Sequence, residues 1–338
     1  MSHEEEIDMT TVSPASSSIV DATGNTPAVW LDRLTDGLQG RVLLKLESMN
    51  PGGSIKDRPA LQCLRDAEQD GRLRPGMAVV ELTSGNMGIG LATACAVMGY
   101  RMIAVMSEGN SRERRQLLAA YGAEIELVPQ GPESIPGQVS GEDLALVEQR
   151  TETLVAELNA WRPDQFNNPS NPRAHELGTG PELWEQSGEN LDAFVAIVGT
   201  GGTFVGIARA LKRRDSTIRC LAVEPAGAQT LARLAVTNSS HRLQGAGYAL
   251  IPPQWDDSLC DGTIAIEDDE AMGVARALAQ REGILAGFST GANVAAALRM
   301  VAAAEPGFTV ATVACDTGTR YLSTDLFVDD AMEPRKVR

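Results

Sequence analysis

Short, nearly all-apolar runs alternate along this chain with longer segments whose apolar residues recur at three- and four-residue spacing. The runs at 78–82, 101–106 and 124–128 predict strands, and the segments 88–99 and 112–121 predict helices between them. Pro129 opens a Gly- and Pro-rich stretch, 129–140, that suits neither a helix nor a central strand. A helix over 142–159 follows, carrying Leu144, Leu146, Val147, Leu154, Val155 and Leu158. The alternation then resumes, with strands at 193–198, 218–223 and 309–314 and helices at 204–213, 268–281 and 291–303. Such a series predicts an α/β protein with largely parallel sheets joined by right-handed crossovers. Two three-layer α/β domains facing a cleft would bind a ligand at the carboxyl ends of their strands; one continuous sheet is the alternative. Residues 1–17 and 329–338 lack any periodic pattern and are expected to be flexible tails.

Composition narrows the function more than the fold. A chain of 338 residues with 43% hydrophobic and 22% charged positions has core enough for about two domains. Its 29 Lys and Arg against 45 Asp and Glu give a net charge of −16, which repels nucleic-acid phosphates and anionic membrane surfaces. The five cysteines form no CxxC pair, so neither a disulfide framework nor a metal site is indicated, and a reducing cytoplasm fits. No apolar run reaches the ~18 residues of a membrane span, and the amino terminus lacks the cationic start of a signal peptide. Aromatic residues are scarce at 4% while glycines number 33, which favours close helix packing and backbone-lined loops.

Three segments carry candidate chemistry. Asn50-Pro51-Gly52-Gly53-Ser54-Ile55-Lys56-Asp57-Arg58 opens a helix, because Ala60, Leu61, Leu64 and Ala67 follow at helical spacing. Lys56 therefore stands in a first turn, where the helix dipole and partial desolvation disfavour its charged form and leave a nucleophilic amine. Thr83-Ser84-Gly85-Asn86-Met87-Gly88 sits between a strand and a helix, presenting hydroxyls, an amide and backbone N–H groups at a strand's carboxyl end. Gly199-Thr200-Gly201-Gly202-Thr203 repeats that arrangement after the strand at 193–198, and its glycines allow N–H groups to converge on one phosphate. It is not a dinucleotide fingerprint, since Phe204 stands where a third glycine belongs, and it is not a P-loop.

These motifs, with Gly24-Asn25-Thr26-Pro27, Gln165, Thr179-Gly180-Pro181-Glu182, Gln244-Gly245-Ala246-Gly247, Ser289-Thr290-Gly291 and Asp316 to Thr324, occur in one order over residues 18–327. In that pattern the chain resembles the cysteine synthase branch of the fold-type II pyridoxal-phosphate enzymes. The resemblance implies a smaller, mobile domain at 48–157 and a larger one made of 18–47 and 158–328. It implies that Lys56 holds pyridoxal 5'-phosphate and shuttles the substrate's α proton, and that Asn86 bonds the cofactor's ring oxygen. Gly199, Thr200, Gly201, Gly202 and Thr203 would hold the phosphate, and Thr317 would meet the pyridine nitrogen. A hydroxyl there makes the ring a weaker electron sink than a carboxylate would, which favours expulsion of a β leaving group. The implied reaction is β-replacement on O-acetylserine or O-phosphoserine through an α-aminoacrylate, with sulfide or thiosulfate as nucleophile. Elimination to pyruvate, addition of an amine, and a retired homologue acting as a binding partner are the alternatives. A homodimer follows only from the resemblance, and nothing in the sequence supports a serine acetyltransferase partner.

Thr83, Ser84 and Gln165 would bind the substrate carboxylate on the same resemblance. Met87 stands where the family usually has threonine, and Gly245-Ala246-Gly247-Tyr248 has lost a glycine and gained a phenol beside the substrate's β-carbon. With a longer connection around 134–142, these departures resemble the subgroup that forms S-sulfocysteine. Arg242 is a candidate cation for an anionic nucleophile, although a solvated surface role is the simpler reading. His175 and Cys315 are read as packing residues.

Overall fold

A computed structural model describes residues 15–134, 139–239, 241–243 and 245–327. Except for 15–17, the expected tails lie outside the described residues, as do 135–138 of the Gly- and Pro-rich stretch. The first strands of the described residues are an antiparallel pair, Ala28–Trp30 (β1) and Arg41–Lys45 (β2). Asp57–Gln69 (α1), Ala78–Leu82 (β3), Asn86–Met98 (α2), Arg101–Ser107 (β4), Arg112–Ala120 (α3), Glu124–Val128 (β5) and Gly141–Leu158 (α4) follow. Their strands form a parallel sheet in the order β3-β4-β5. Next come Ser170–Ala174 (α5), Gly180–Gln186 (α6), Ala193–Ile197 (β6), Gly202–Arg214 (α7), Arg219–Pro225 (β7), Gly262–Ile266 (β8), Asp268–Ala277 (α8), Phe288–Ala302 (α9) and Thr309–Val313 (β9). They complete a six-stranded sheet, β1-β2-β9-β6-β7-β8, parallel except at β1-β2.

Each sheet is covered on both faces, which is why its inner strands read as unbroken apolar runs. On the small sheet, Leu61, Leu64, Leu91 and Met102 pack on one side, and Val80, Val105, Val147 and Leu154 on the other beneath α4. On the large sheet, Val195, Val223, Ala292 and Ala296 pack under α8 and α9, and Phe194, Phe204, Ile207 and Leu211 under α7.

The sequence pattern does not predict β1, β2, β8 or the helical stretch from α5 to α6. That stretch is interrupted by a π turn, His175–Thr179, which closes against α7. Gly206 on α7 leaves the space this needs, since a Cβ there would lie 2.1 Å from the Pro172 carbonyl oxygen.

One junction sets the functional geometry. Ile55 belongs to the core of the large sheet, whereas Ala60, Leu61 and Leu64 belong to that of the small sheet. The Ile55 N–H donates to the Cys315 carbonyl at 2.8 Å, and Ser54 forms an antiparallel bridge with Asp316. Lys56 thus stands where the chain passes from one core to the other.

Candidate active site

Lys56 is the residue before α1 and is half-buried. Desolvation lowers the pKa of its amine, while the nearby acidic groups Cys315 and Asp316 oppose the shift. The other described lysines are committed elsewhere. Lys45 Nζ is fully buried and meets Glu182 at 2.6 Å and Gln186 Oε1 at 2.8 Å, and Lys212 Nζ meets Asp261 at 2.6 Å. Lys56 alone of the three makes no ion pair among the described residues.

The loop after β3 is shaped by Thr83. Its hydroxyl accepts from the Gly88 N–H at 2.9 Å, and Gly88 must lack a side chain because a Cβ would lie 2.6 Å from Thr83 Cγ2. The Gly88 N–H is therefore spent inside the loop. Ser84 is half-buried and receives a 3.4 Å contact from Arg114 Nη1 on α3. Asn86 heads α2 and reaches across to the other sheet, donating from Nδ2 to Asp316 Oδ2 at 2.7 Å and accepting at Oδ1 from Arg320. Met87 points the other way, into the core of the small sheet, and is 2% exposed.

The loop after β6 is a cradle at the start of α7. Gly201 takes a left-handed conformation at φ 88°, and no side chain caps the helix, so the N–H groups of its first turn are open to an anion. A Cβ on Gly202 would lie 2.1 Å from Asn171 Oδ1, and one on Gly199 would lie 2.4 Å from the Gly245 carbonyl oxygen. Asn171 donates to Thr200 Oγ1 at 3.0 Å and to the Gln165 carbonyl at 2.8 Å, leaving the Thr200 proton available for donation. Thr203 Oγ1 is 3.3 Å from Nε2 of His175, which is fully buried and kept neutral by desolvation and by the charges of Lys56 and Arg58. Gln165 and Gly245 thus adjoin the cradle, and Tyr248 stacks edge-on against Phe166 with ring centroids 5.6 Å apart.

Thr317 lies beside this junction, with its N–H donating to the Gly53 carbonyl at 3.2 Å. Its hydroxyl is occupied locally, 3.0 Å from Thr319 Oγ1 and capping the turn Gly318–Tyr321. Arg242 is a surface cation paired with Asp325 at 3.1 Å. The sequence reading singles out neither Arg114 nor the trio Asp316, Arg320 and Tyr321. The motif from Asp316 to Thr324 is visible in the chain, but nothing in a sequence shows that its carboxylate is buried against Asn86. Among the described residues no group of three or more His, Cys, Asp or Glu side chains is placed to hold a metal ion.

A partly desolvated amine, together with an uncapped helix start that forms a backbone anion cradle, is the donor set that an aldehyde bearing a phosphate requires. Accordingly, the chain belongs to the family of pyridoxal-phosphate dependent enzymes, whose model matches residues 19–316. Within that family it is similar to a cysteine synthase of Staphylococcus aureus (strain Mu50 / ATCC 700699), 43% identical over 93% of this chain and 97% of the relative. Its fold is similar to that of O-ureido-L-serine synthase, with a TM-score of 0.84 and 39% identity over 94% of this chain and 97% of that one. A cysteine synthase from Entamoeba histolytica superposes with a TM-score of 0.87 at 34% identity, over 96% of this chain and 95% of that one.

Proposed function

We propose that this enzyme replaces the β substituent of an activated L-serine, O-acetylserine or O-phosphoserine, with a sulfur nucleophile. Sulfide would give L-cysteine and thiosulfate would give S-sulfocysteine. The observation that carries the reading, in a chain 43% identical to a cysteine synthase, is that Asn86 and the turn before Lys56 share Asp316, while the charge of Lys56 reaches His175, whose Nε2 lies 3.3 Å from Thr203 of the α7 cradle.

Pyridoxal phosphate, when bound, supplies a conjugated ring able to delocalise negative charge from the substrate's α-carbon. Lys56 is the residue that would hold it, because its environment favours the neutral amine at lower pH than an ordinary lysine. The same Nζ would then take the substrate's α proton and return it. The N–H groups of Gly201, Gly202 and Thr203 and the hydroxyls of Thr200 and Thr203 would hold the phosphate, with the α7 dipole behind them. Asn86 would use its second amide proton on the cofactor's ring oxygen. Thr83, Ser84 and Gln165 would present the substrate's carboxylate. Tyr248 and Gly245 would border its β-carbon, with Met87 acting from behind as packing. Thr317 fixes the Lys56 turn through its backbone, and its hydroxyl, which accepts from the Thr319 N–H, would turn its own proton to the ring nitrogen.

The arrangement favours two moving units, 48–157 and 18–47 with 158–328, closing over the substrate. A homodimer working in the cytoplasm completes the reading. A second reading, with a nucleophile other than sulfur, is favoured by the similarity to O-ureido-L-serine synthase. One assay separates them: each serine ester incubated with sulfide, thiosulfate or an amine, with the amino-acid product identified by mass. A product with a new carbon–sulfur bond is expected, and pyruvate release indifferent to every nucleophile would exclude a synthase.

A further inference from the structure

Asp316 ends the strand-and-loop segment that faces Lys56, and it is 2% exposed. Its Oδ2 accepts from Asn86 Nδ2 at 2.7 Å and from the Tyr321 hydroxyl at 2.6 Å. Its Oδ1 is buried without a hydrogen-bond partner, and the space beside it exists because Gly287 has no side chain: a Cβ there would lie 2.3 Å from that oxygen. The Asn86 amide is fixed at both ends. Arg320 is only a donor, so it must hold Oδ1, and the carboxylate is only an acceptor, so it must hold Nδ2. Neither partner of Asn86 lies on its own sheet. Through the bridge from Asp316 to Ser54, the same residue also braces the turn carrying Lys56.

We propose that Asp316 is a positioning residue of this site: its buried carboxylate sets the direction of the Asn86 amide and stands against the turn that carries Lys56. The proposal rests on Lys56 and Asn86 holding the cofactor. Lys56 approaches from the turn before α1, Arg320 and Tyr321 come from the turn after β9, and Cys315 is the neighbouring residue. Arg114 of α3 acts on Tyr321, and Asp57 shares the charge of Arg320. Burial raises the Asp316 pKa above the ordinary carboxylate value, and Tyr321, Asn86, Arg320 and Lys56 pull against that rise. Two donors converging on one oxygen suit the ionised form.

The test is a pH titration of the visible absorption of the holoenzyme, which reads the proton on the Lys56 nitrogen, in wild type, Asp316→Asn and Arg320→Gln. Removing an opposite charge from the vicinity should lower the Asp316→Asn midpoint by about one pH unit or more. Arg320→Gln should raise the midpoint, because Asp316 then faces Lys56 with its charge uncompensated. A merely structural role would move both variants the same way, and parallel shifts or unchanged midpoints overturn the proposal. If Asp316→Asn does not fold, Arg320→Gln decides alone: a rise supports the proposal, and a fall or no change overturns it. The Asn86 part is read from cofactor retention on dialysis. Asp316→Asn and Asn86→Ala should each weaken it, and the double variant should be no weaker than Asn86→Ala; additive losses contradict the coupling. Lys56→Ala serves as the control. A visible band surviving in that variant would sink the assignment of Lys56 itself, whereas a lost band with unshifted midpoints in the other variants sinks only the role of Asp316.

Discussion

Lys56 was legible in the sequence because a glycine-rich turn ahead of a helical apolar pattern is a local signal. Asp316 was not, because its role depends on a contact 230 residues away with Asn86, and burial of a carboxylate leaves no mark in neighbouring residues. Met87 presents the opposite case. As a departure from a family pattern it suggests a changed substrate contact, yet its side chain is buried among Leu91, Met102 and Leu118. Met87→Thr should therefore leave the preference between sulfide and thiosulfate unchanged and cost about 2 kcal/mol of stability, measured by denaturant unfolding. Gly202→Ala has no room, with Asn171 Oδ1 at 2.1 Å from the new Cβ. That variant should fold with reduced stability and release cofactor on dialysis faster than wild type.

At the scale of elements, the parallel strands and their helices were readable because strands buried on both faces are runs such as Ala193–Ile197, bounded by turns. β2 is hidden in the sequence for a physical reason: it ends in Lys45, a charged residue that is fully buried only because Glu182 and Gln186 satisfy it. β1 is three residues long, and β8 is a half-buried edge, so neither has a face to display. The stretch from Pro169 to Gln186 holds two prolines after its first residue and a π turn, and those features mask its helical character in a sequence. The helix predicted at 142–159 is anchored by a capping box, in which Ser140 accepts from the Asp143 N–H at 3.1 Å and Asp143 returns a bond at 2.8 Å. Ser140→Ala should cost about 1 kcal/mol, again by denaturant unfolding, without changing the visible spectrum.

Across the whole molecule, cations are the minority behind the net charge of −16, and two of them, Arg58 and Lys45, are buried against carboxylates near the junction between the sheets. Arg58, two residues beyond Lys56, is 6% exposed and bonds Glu47 at 2.7 Å and Glu182 at 2.6 Å, tying α1 to β2's flank and to α6. Arg58→Met would leave the buried Glu47 carboxylate without its cation and Glu182 with Lys45 alone, and should cost about 3–5 kcal/mol, seen as a lowered denaturant midpoint. The pH dependence has two opposing limbs. Hydrogen bonds and charges of Arg58 and Lys45 outweigh burial and hold the Glu182 pKa down at about 2, so its contribution is present above the ordinary glutamate range and is lost as the pH falls through that value. Burial pushes Glu81 up to about 7, so the stability linked to its protonated form is complete below the ordinary range and fades as the pH rises through 7. Glu81→Gln should accordingly reduce the loss of stability between pH 5 and pH 8, by an amount on the order of 2 kcal/mol.

The chain has only four lysines, Lys45, Lys56, Lys212 and Lys336, which makes the central claim open to one direct measurement. Borohydride reduction of the holoenzyme followed by peptide mass mapping should find a single phosphopyridoxyl group, on Lys56. A label on Lys45, Lys212 or Lys336 in its place, or no label on an enzyme that carries its cofactor, would contradict the account.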